Sequence, residues 1–435
     1  MEGAAGRRSI NVDTLTLGLY LLLLVMGWLT VYTVSSANGN EGIFDLNKEH
    51  GKQLLWMGIS LVAGFIILAF DFRLFNTLAY VAYLSSISLL IITLFVGEEI
   101  NGATAWLKIG GQQFQPAEYA KIATALAIAR YMSEQGFSMS NLNQVFIAIG
   151  IVILPAIIVI LQNDTGSALV FGSFIFVFLR EGMSPLLPLI GLYCFTIVIS
   201  TLYLTTILKI SILYIIGGIV LVAVIALVIV LLTSARKRMT QSIIIILAAT
   251  ICSVGLSLGS KTLFDKLAIH QQTRIKVWFN PKEDPYGSGY NVIQSKIAIG
   301  SGGIYGKGFR NGNYTKYRFV PKQETDFIYC TVGEEFGWIG SSIVIITFFG
   351  LLARLQFMSE NGKMSFSRIY GYACLSILFF HVLVNVGMTI GFIPVIGIPL
   401  PFFSYGGSAI LSFTVLLFIM INLYAHRGSV LSRSL

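Results

Sequence analysis

Long apolar runs separated by short polar stretches make up most of this chain. The runs recur at a length of about 20 residues, which is what a helix needs to cross a bilayer. Backbone polar groups must be satisfied internally in lipid, so each span is predicted to be a helix. We predict about twelve transmembrane helices, at residues 14–34, 53–70, 76–96, 117–133, 144–161, 166–180, 185–204, 208–233, 241–259, 327–353, 367–391 and 405–425.

Composition supports an all-α polytopic membrane protein. The 435 residues are 55% hydrophobic and 11% charged, whereas soluble domains are about a quarter charged. The first run, Thr14 to Val34, is too long for the apolar core of a cleaved signal, so we interpret it as a retained span. The stretch from Leu186 to Leu232 carries one charge, Lys209, and is predicted to turn near Thr205–Lys209.

The distribution of basic residues predicts the orientation in the membrane. Most Lys and Arg of the short loops fall on one side, which the positive-inside rule makes cytoplasmic together with both termini. The segment 260–325 then lies outside. It holds eleven Lys/Arg against four Asp/Glu, so it carries most of the net charge of +9. This charge does not indicate nucleic-acid binding. The loop is either simply solvated or a site for an anionic substrate or lipid phosphates.

The outer segment contains turns and one short helix. Asn280-Pro281 and Asp284-Pro285 are turn signals, and residues 291–299 have the pattern of an amphipathic helix lying in the interface. Glycines at 300–303 are predicted to end that helix. Asp284 is ordinarily explained as a turn former. Its alternative role is a general base at the outer face.

Polar residues also stand beside or inside the apolar runs. Glu118 and Lys121 share a helix face at i, i+3, as a structural ion pair or a functional one. Trp106 fits an aromatic belt. Asp164 is predicted to cap the following span, and Thr325 or Asp326 to cap the span after residue 326.

A proline- and glycine-broken stretch, residues 391–406, precedes the last span. Such backbone is tolerated at membrane depth only when it is buried or lines a cavity, so a polar outward-facing cavity is expected. The four Cys and four His are dispersed along the chain, without metal-ligand spacing, and no protein-held metal site is predicted.

Five stretches resemble a known family in order and spacing. They read NGATAWLKIGG…QPAEYAK, QNDTGSAL, NPKEDPYGSGYNVIQSKIAIGSGGIYGKG, TDFIYCTVGEEFGWIG and PLPFFSYGGSAI. The chain is similar over nearly its whole length to the SEDS family of bacterial shape, elongation, division and sporulation proteins. GSGGIYGKGF is more similar to the elongation (RodA-like) branch than to the division (FtsW-like) branch.

The resemblance implies a peptidoglycan glycosyltransferase of the bacterial cytoplasmic membrane. It would polymerise lipid II during cell elongation, beside a class B penicillin-binding protein that supplies transpeptidation. The catalytic aspartate of the family falls on Asp284, and the Glu and Lys of its QPxExxK helix fall on Glu118 and Lys121. The family has ten spans, so residues 205–240 would be an inserted hairpin within a single domain, 1–435, whose catalytic loop is 260–325.

Further substrate contacts are assigned as hypotheses. Trp106, Lys296, Lys307 and Arg274 are candidates for binding the substrate, and a divalent cation could accompany its pyrophosphate. The chain departs from the family pattern at Ala105, at Glu324 and at Val320–Lys322, where VPK replaces LPE.

Other functions compete with polymerisation. The alternatives are a lipid II flippase, a division-type polymerase, and a non-catalytic scaffold for the penicillin-binding protein.

Overall fold

The fold is almost entirely helical. The computed structural model describes residues 12–36, 42–100, 102–233, 236–267, 269–284 and 287–427. Its helices are α1 Thr14–Ser35, α2 Glu49–Ala69, α3 Phe72–Val96, α4 Pro116–Ser133, α5 Leu142–Leu161, α6 Thr165–Phe171, α7 Ile175–Arg180, α8 Leu186–Thr206, α9 Ile212–Thr233, α10 Arg236–Lys266, α11 Ile269–Phe279, α12 Ser288–Gly302, α13 Asn313–Lys316, α14 Ile328–Glu360, α15 Ser365–Thr389 and α16 Gly407–Ala425.

Ten helices in the described part of the chain are long and apolar enough to cross a membrane: α1, α2, α3, α5, α8, α9, α10, α14, α15 and α16. The protein is therefore a multi-pass membrane protein, as predicted. The two other predicted spans are α4, which carries charged residues, and the broken apolar run Thr165–Arg180. The total of twelve therefore stays a prediction.

The chain divides into two compact units, Met1–Met183 with Gln294–Leu435, and Ser184–Ile293. In the first unit, α15 packs against α4 and α14, while α16 packs against α2. The core between these helices includes large side chains such as Tyr370, Phe413 and Phe418, which are at most 2% exposed. Among the ten candidate spans, α15 and α16 are the most buried.

An ion pair joins the beginning of α1 to α14. Arg354 donates to Asp13 from Nε at 3.1 Å, and Thr16 donates its backbone N–H to the same carboxylate at 3.0 Å. Burial alone would raise the pKa of Asp13, but the hydrogen bonds from Arg354 and Thr16 outweigh it and lower that pKa to about 2. Asp13 thus caps α1 and fixes it to its neighbour.

Two predicted helix caps have different outcomes. Asp164 caps α6, accepting from the Ser167 N–H at 3.0 Å, as predicted. The predicted capping of α14 by Thr325 or Asp326 is wrong, because its N-cap residue is Phe327 and makes no side-chain cap hydrogen bond. The backbone N–H groups of residues 325–327 donate to the Lys322 carbonyl instead.

A small antiparallel sheet stands in the loop before α4. Its strands are β1 Glu98–Ile100, β2 Ala103–Ile109 and β3 Gln112–Phe114, in the order β1-β2-β3. Gly110 and Gly111 form the turn between β2 and β3, both with positive φ. Thr104 of β2 donates to the Gln162 carbonyl at 2.9 Å, so the sheet is fixed to the end of α5.

The second unit contains α8 to α11. The predicted turn near Thr205–Lys209 is confirmed, since α8 ends at Thr206 and α9 begins at Ile212. The predicted insertion, 205–240, contains the end of α8, all of α9 and the beginning of α10. Polar contacts join α8 to α10, with Tyr193 and Ser253 hydroxyls 2.6 Å apart. Such contacts hold helices together where no hydrophobic force acts between them.

Candidate functional site

Asp284 ends a tight turn in the second unit. Residues Pro281–Glu283 form one turn of 3-10 helix, and Asn280 caps it by accepting from the Lys282 N–H at 3.3 Å. Proline suits the first position of such a turn because its missing N–H has no partner there. Asp284 follows as the C-cap residue, with φ −137° and ψ 74°, and its side chain is partly exposed.

Two glycines let this turn fold onto the start of α12. A Cβ at Gly287 would lie 2.2 Å from Oδ2 of Asp284, and a Cβ at Gly289 would lie 2.1 Å from the Pro281 carbonyl oxygen. Any side chain at these positions would collide with the turn. The glycines therefore place the Asp284 carboxylate close against bare backbone, as the turn signals indicated.

In the first unit, the beginning of α4 is fixed by side chains. Pro116 occupies its first turn, where the missing N–H of proline has no partner to lose. Gln115 donates to Oδ2 of Asp164 at 2.7 Å and to the Ser167 hydroxyl at 3.2 Å. These bonds join α4 to the cap of α6 and set the position of the charged residues that follow.

Glu118 and Lys121 form a buried cluster with a third residue, His381 of α15. Lys121 Nζ lies 2.7 Å from Glu118 Oε1 and 2.9 Å from His381 Nε2, and none of the three residues is more than 2% exposed. The Phe413 ring lies 5.4 Å from the ammonium. The predicted pair therefore forms, but inside the helix bundle. Whether it binds substrate stays a prediction.

The non-helical stretch before α16 is held by side chains of α15. His381 Nδ1 lies 3.1 Å from the Pro399 carbonyl oxygen, and Asn385, one helical turn later, donates to the Ile398 carbonyl at 2.9 Å. The same amide nitrogen of Asn385 donates to the Asp326 carbonyl at 2.9 Å. These bonds satisfy two carbonyls of the irregular backbone, as its predicted depth in the membrane requires.

The turn before α14 rests on this stretch. Ser404 donates to the Thr325 carbonyl at 2.6 Å, and the Tyr405 N–H donates to the Glu324 carbonyl at 2.9 Å. Oδ2 of Asp326 lies 3.4 Å from the place a Cβ would take at Gly397. Burial raises the pKa of the Asp326 carboxyl above its usual range, and nearby Lys322 offsets only part of this effect.

The other predicted contacts lie on different elements. Trp106 is partly buried on β2, opposite Glu98 of β1. Lys296 is exposed on α12. Arg274 lies on α11, and its side chain falls outside the described part of the structure. Within the described residues, no group of three His, Cys, Asp or Glu could hold a metal ion.

Lys307 has a partner that the sequence did not indicate, Glu334 of α14. Its Nζ lies 2.8 Å from Glu334 Oε1, which also accepts from the Tyr314 N–H at 2.9 Å. Oε2 accepts from the Thr315 N–H and hydroxyl, each at 2.8 Å, and the Glu334 side chain is fully buried. Glu334 thus fastens the loop after α12 onto α14, and Lys307 as a phosphate ligand stays a prediction.

Sequence reasoning therefore missed three residues that organise the site: His381, Asn385 and Glu334. Each is polar and stands in or at the edge of an apolar run, where a polar group is costly. A polar residue within or beside an apolar run was therefore the signal available in the sequence. Their partners are carbonyls and N–H groups far along the chain, which a sequence pattern does not reveal.

The fold and the site together define a multi-pass membrane protein with an acidic turn in a long extramembrane segment and a charged cluster inside its helix bundle. A family model described as cell cycle protein, covering FtsW, RodA and SpoVE, matches residues 13–213 and 193–429. The chain belongs to this family, which confirms the predicted membership.

Individual relatives agree with this assignment. The chain is 31% identical over 423 residues to the peptidoglycan glycosyltransferase RodA of Treponema pallidum, covering 90% of this chain and 94% of the relative. It is 29% identical over 426 residues to the peptidoglycan glycosyltransferase MrdB of Escherichia coli K12, covering 98% and 96%.

Solved structures share the fold. A chain from a peptidoglycan synthase complex, described as coordinating polymerization and crosslinking, matches with a TM-score of 0.69 and 25% identity, covering 96% of this chain and 99% of that one. The rod shape determining protein RodA of Thermus thermophilus matches with a TM-score of 0.60 and 21% identity, covering 97% and 99%.

Proposed function

We propose that this protein is a peptidoglycan glycosyltransferase of the elongation type that polymerises lipid II. The observation that carries the proposal is similarity over nearly the full chain to proteins named peptidoglycan glycosyltransferase RodA and MrdB. The Asp284 turn adds a chemical reason. It places a partly exposed carboxylate in the predicted outer segment, held by glycines that let the turn pack closely against the start of α12.

In the proposed reaction, one sugar hydroxyl displaces a lipid pyrophosphate. The acceptor 4-hydroxyl forms a bond to the anomeric carbon while the bond from that carbon to pyrophosphate breaks, with inversion. The hydroxyl proton passes to the Asp284 carboxylate, acting as general base. Pyrophosphate leaves without being protonated, so one carboxylate suffices where a glycosidase needs two.

Charge on the leaving group needs cations. Lys296, Lys307 and Arg274 are the candidate ligands of the pyrophosphate, with Trp106, Glu118 and Lys121 as further substrate contacts. A divalent cation bound by the pyrophosphate would supply additional positive charge. Chelation by EDTA, followed by return of Mg²⁺ or Mn²⁺, tests that requirement separately.

The location and partner are part of the same proposal. The reaction would take place at the outer face of the bacterial cytoplasmic membrane, with both termini in the cytoplasm, as the distribution of Lys and Arg predicts. A class B penicillin-binding protein would cross-link the product. The match to a chain from a peptidoglycan synthase complex supports such a partner.

The test is polymerisation by purified protein. The full chain is reconstituted with lipid II, and glycan products are separated on gels, without any transpeptidase partner. Asp284→Asn should abolish the product while leaving the melting temperature unchanged. Glu283→Gln is the matched control, because it removes a neighbouring carboxylate that is exposed. The hydrogen bond that Glu283 accepts from the Asn280 amide is long, at 3.4 Å. Full activity in the Asp284 variant would overturn the assignment.

A lipid II flippase is the second candidate, and one observation favours it. Transporters use ionisable residues within the bundle, and Glu118, Lys121 and His381 form such a buried cluster. Transfer of fluorescent lipid II across vesicles, without glycan formation, would support that function.

A further inference from the structure

The hydrogen bonds around His381 determine which of its nitrogens carries the proton. Nδ1 faces the Pro399 carbonyl oxygen at 3.1 Å, and a carbonyl oxygen can only accept. Nε2 faces the Lys121 ammonium at 2.9 Å, and an ammonium can only donate. His381 is therefore neutral, with its proton on Nδ1, donating to Pro399 and accepting from Lys121.

Lys121 is held by two acceptors of different kinds. Glu118 Oε1 accepts at 2.7 Å and supplies the opposite charge, while His381 Nε2 accepts without adding charge. Of the three N–H donors of the ammonium, these contacts within the described residues use two. Glu118 Oε2 is buried and has no hydrogen-bond partner among the described residues. Among the described residues, these contacts thus leave one N–H of Lys121 and one oxygen of Glu118 without a hydrogen bond.

His381 also connects the Lys121 ammonium to the non-helical backbone before α16. Its bond to Pro399 and the bond of Asn385 to Ile398 hold two successive carbonyls of the irregular stretch. Asn385 holds the Asp326 carbonyl as well. A shift of His381 would therefore move both the Lys121 ammonium and the stretch on which the turn before α14 rests.

We propose that His381 is a positioning residue for the polymerisation reaction, acting as the neutral acceptor that fixes the Lys121 ammonium against Glu118 and against the Pro399 segment. This inference rests on the proposed function, because it concerns the same reaction. Lys121 is a proposed substrate contact, and a contact misplaced by about 1 Å holds the substrate out of the reactive geometry, which lowers the turnover rate more than it weakens binding.

Three variants separate the two hydrogen bonds. His381→Gln places an amide oxygen near Nε2 and can still accept from Lys121. His381→Asn places an amide nitrogen near Nδ1 and can still donate to Pro399, but it does not reach Lys121. His381→Leu makes neither bond. We expect kcat to fall about tenfold or more in the Leu and Asn variants, with KM for lipid II within about threefold, and Gln to restore most of the rate.

The contact with Lys121 is tested by a double-mutant cycle. In a Lys121→Met background, His381→Leu should cause little further loss, because the ammonium it positions is already absent. Melting temperatures of all variants are measured in parallel. A role in packing alone predicts that activity follows the melting temperature and that Asn and Gln behave alike.

The outcomes distinguish this inference from the proposed function. A wild-type protein that makes no glycan would overturn the proposed function, and the positioning role with it. An active wild type whose Leu or Asn variant keeps the full rate would overturn the positioning role alone. Additive losses in the cycle, or a Gln variant no better than Asn, would also overturn it.

Discussion

Glu334→Gln is the substitution whose effect the structure defines most sharply. The carboxylate is fully buried at the start of α14 and accepts four hydrogen bonds, from Lys307, the Tyr314 N–H, and the N–H and hydroxyl of Thr315. Glutamine has the same size, so packing is preserved. Its single oxygen can serve Thr315, but its NH₂ group would then face Lys307 and the Tyr314 N–H, donor against donor.

The expected loss of stability is about 3–5 kcal/mol. Two charge-assisted hydrogen bonds disappear, each worth about 1.5–3 kcal/mol, and N–H donors are left facing one another. Lys307→Met is the matched comparison. The Lys307 side chain is 26% exposed and Glu334 keeps its three other donors, so we expect only the loss of one charge-assisted hydrogen bond, about 1.5–3 kcal/mol.

Thermal unfolding of the detergent-solubilised chain measures both losses, and polymerisation of lipid II measures their consequence. We expect Glu334→Gln to lower the melting temperature markedly and to lower activity with it. Equal melting temperatures for Glu334→Gln and wild type would refute the reasoning. An inactive Lys307→Met variant with wild-type stability would instead support Lys307 as a ligand of the pyrophosphate.

Two further predictions concern pH. Asp13→Asn should lower the free energy of unfolding by about 2 kcal/mol at neutral pH, because the pKa of Asp13 falls from 3.8 to about 2 on folding. This loss of stability should shrink as the pH falls from 3.8 towards 2. A loss at pH 2 as large as at neutral pH would contradict the prediction. Asp326→Asn should raise the free energy of unfolding at neutral pH, because folding raises the pKa of that carboxyl. The gain should disappear below pH 3.8, where the carboxyl is protonated in both states. A loss of stability at neutral pH would instead show that the Asp326 carboxylate stabilises the fold through its charge interaction with Lys322. Thermal melts across pH measure both.

Elements set by local pattern could be predicted from the sequence. The apolar run 14–34 became α1, Thr14–Ser35, because about 20 apolar residues have one stable solution in lipid. Pro116 and Asp164 begin helices because their local chemistry suits a helix N-terminus. The turn between α8 and α9 follows from length alone, since the apolar run exceeds one span.

Features set by distant contacts could not be predicted. The β2–β3 hairpin was not predicted. Gly110-Gly111 is a usable turn signal, but apolar and polar residues do not alternate strictly on either side of it. The non-helical backbone of Gly337 inside α14, φ 64° and ψ −157°, follows from neither composition nor period. Asp326 was predicted to cap α14 because it immediately precedes the apolar run, whereas the turn there closes on the Lys322 carbonyl.

The polarity of α15 illustrates why such residues escape sequence reasoning. His381 and Asn385 are buried in a mostly apolar helix, where unpartnered polar groups are expensive. Their use becomes apparent only with the broken stretch before α16, whose Pro399 and Ile398 carbonyls they bind. Irregular backbone at membrane depth needs polar partners from neighbouring helices. The polar residues of α15 and the proline-broken stretch before α16 therefore depend on each other. The stretch needs donors for its carbonyls, and His381 and Asn385 need acceptors.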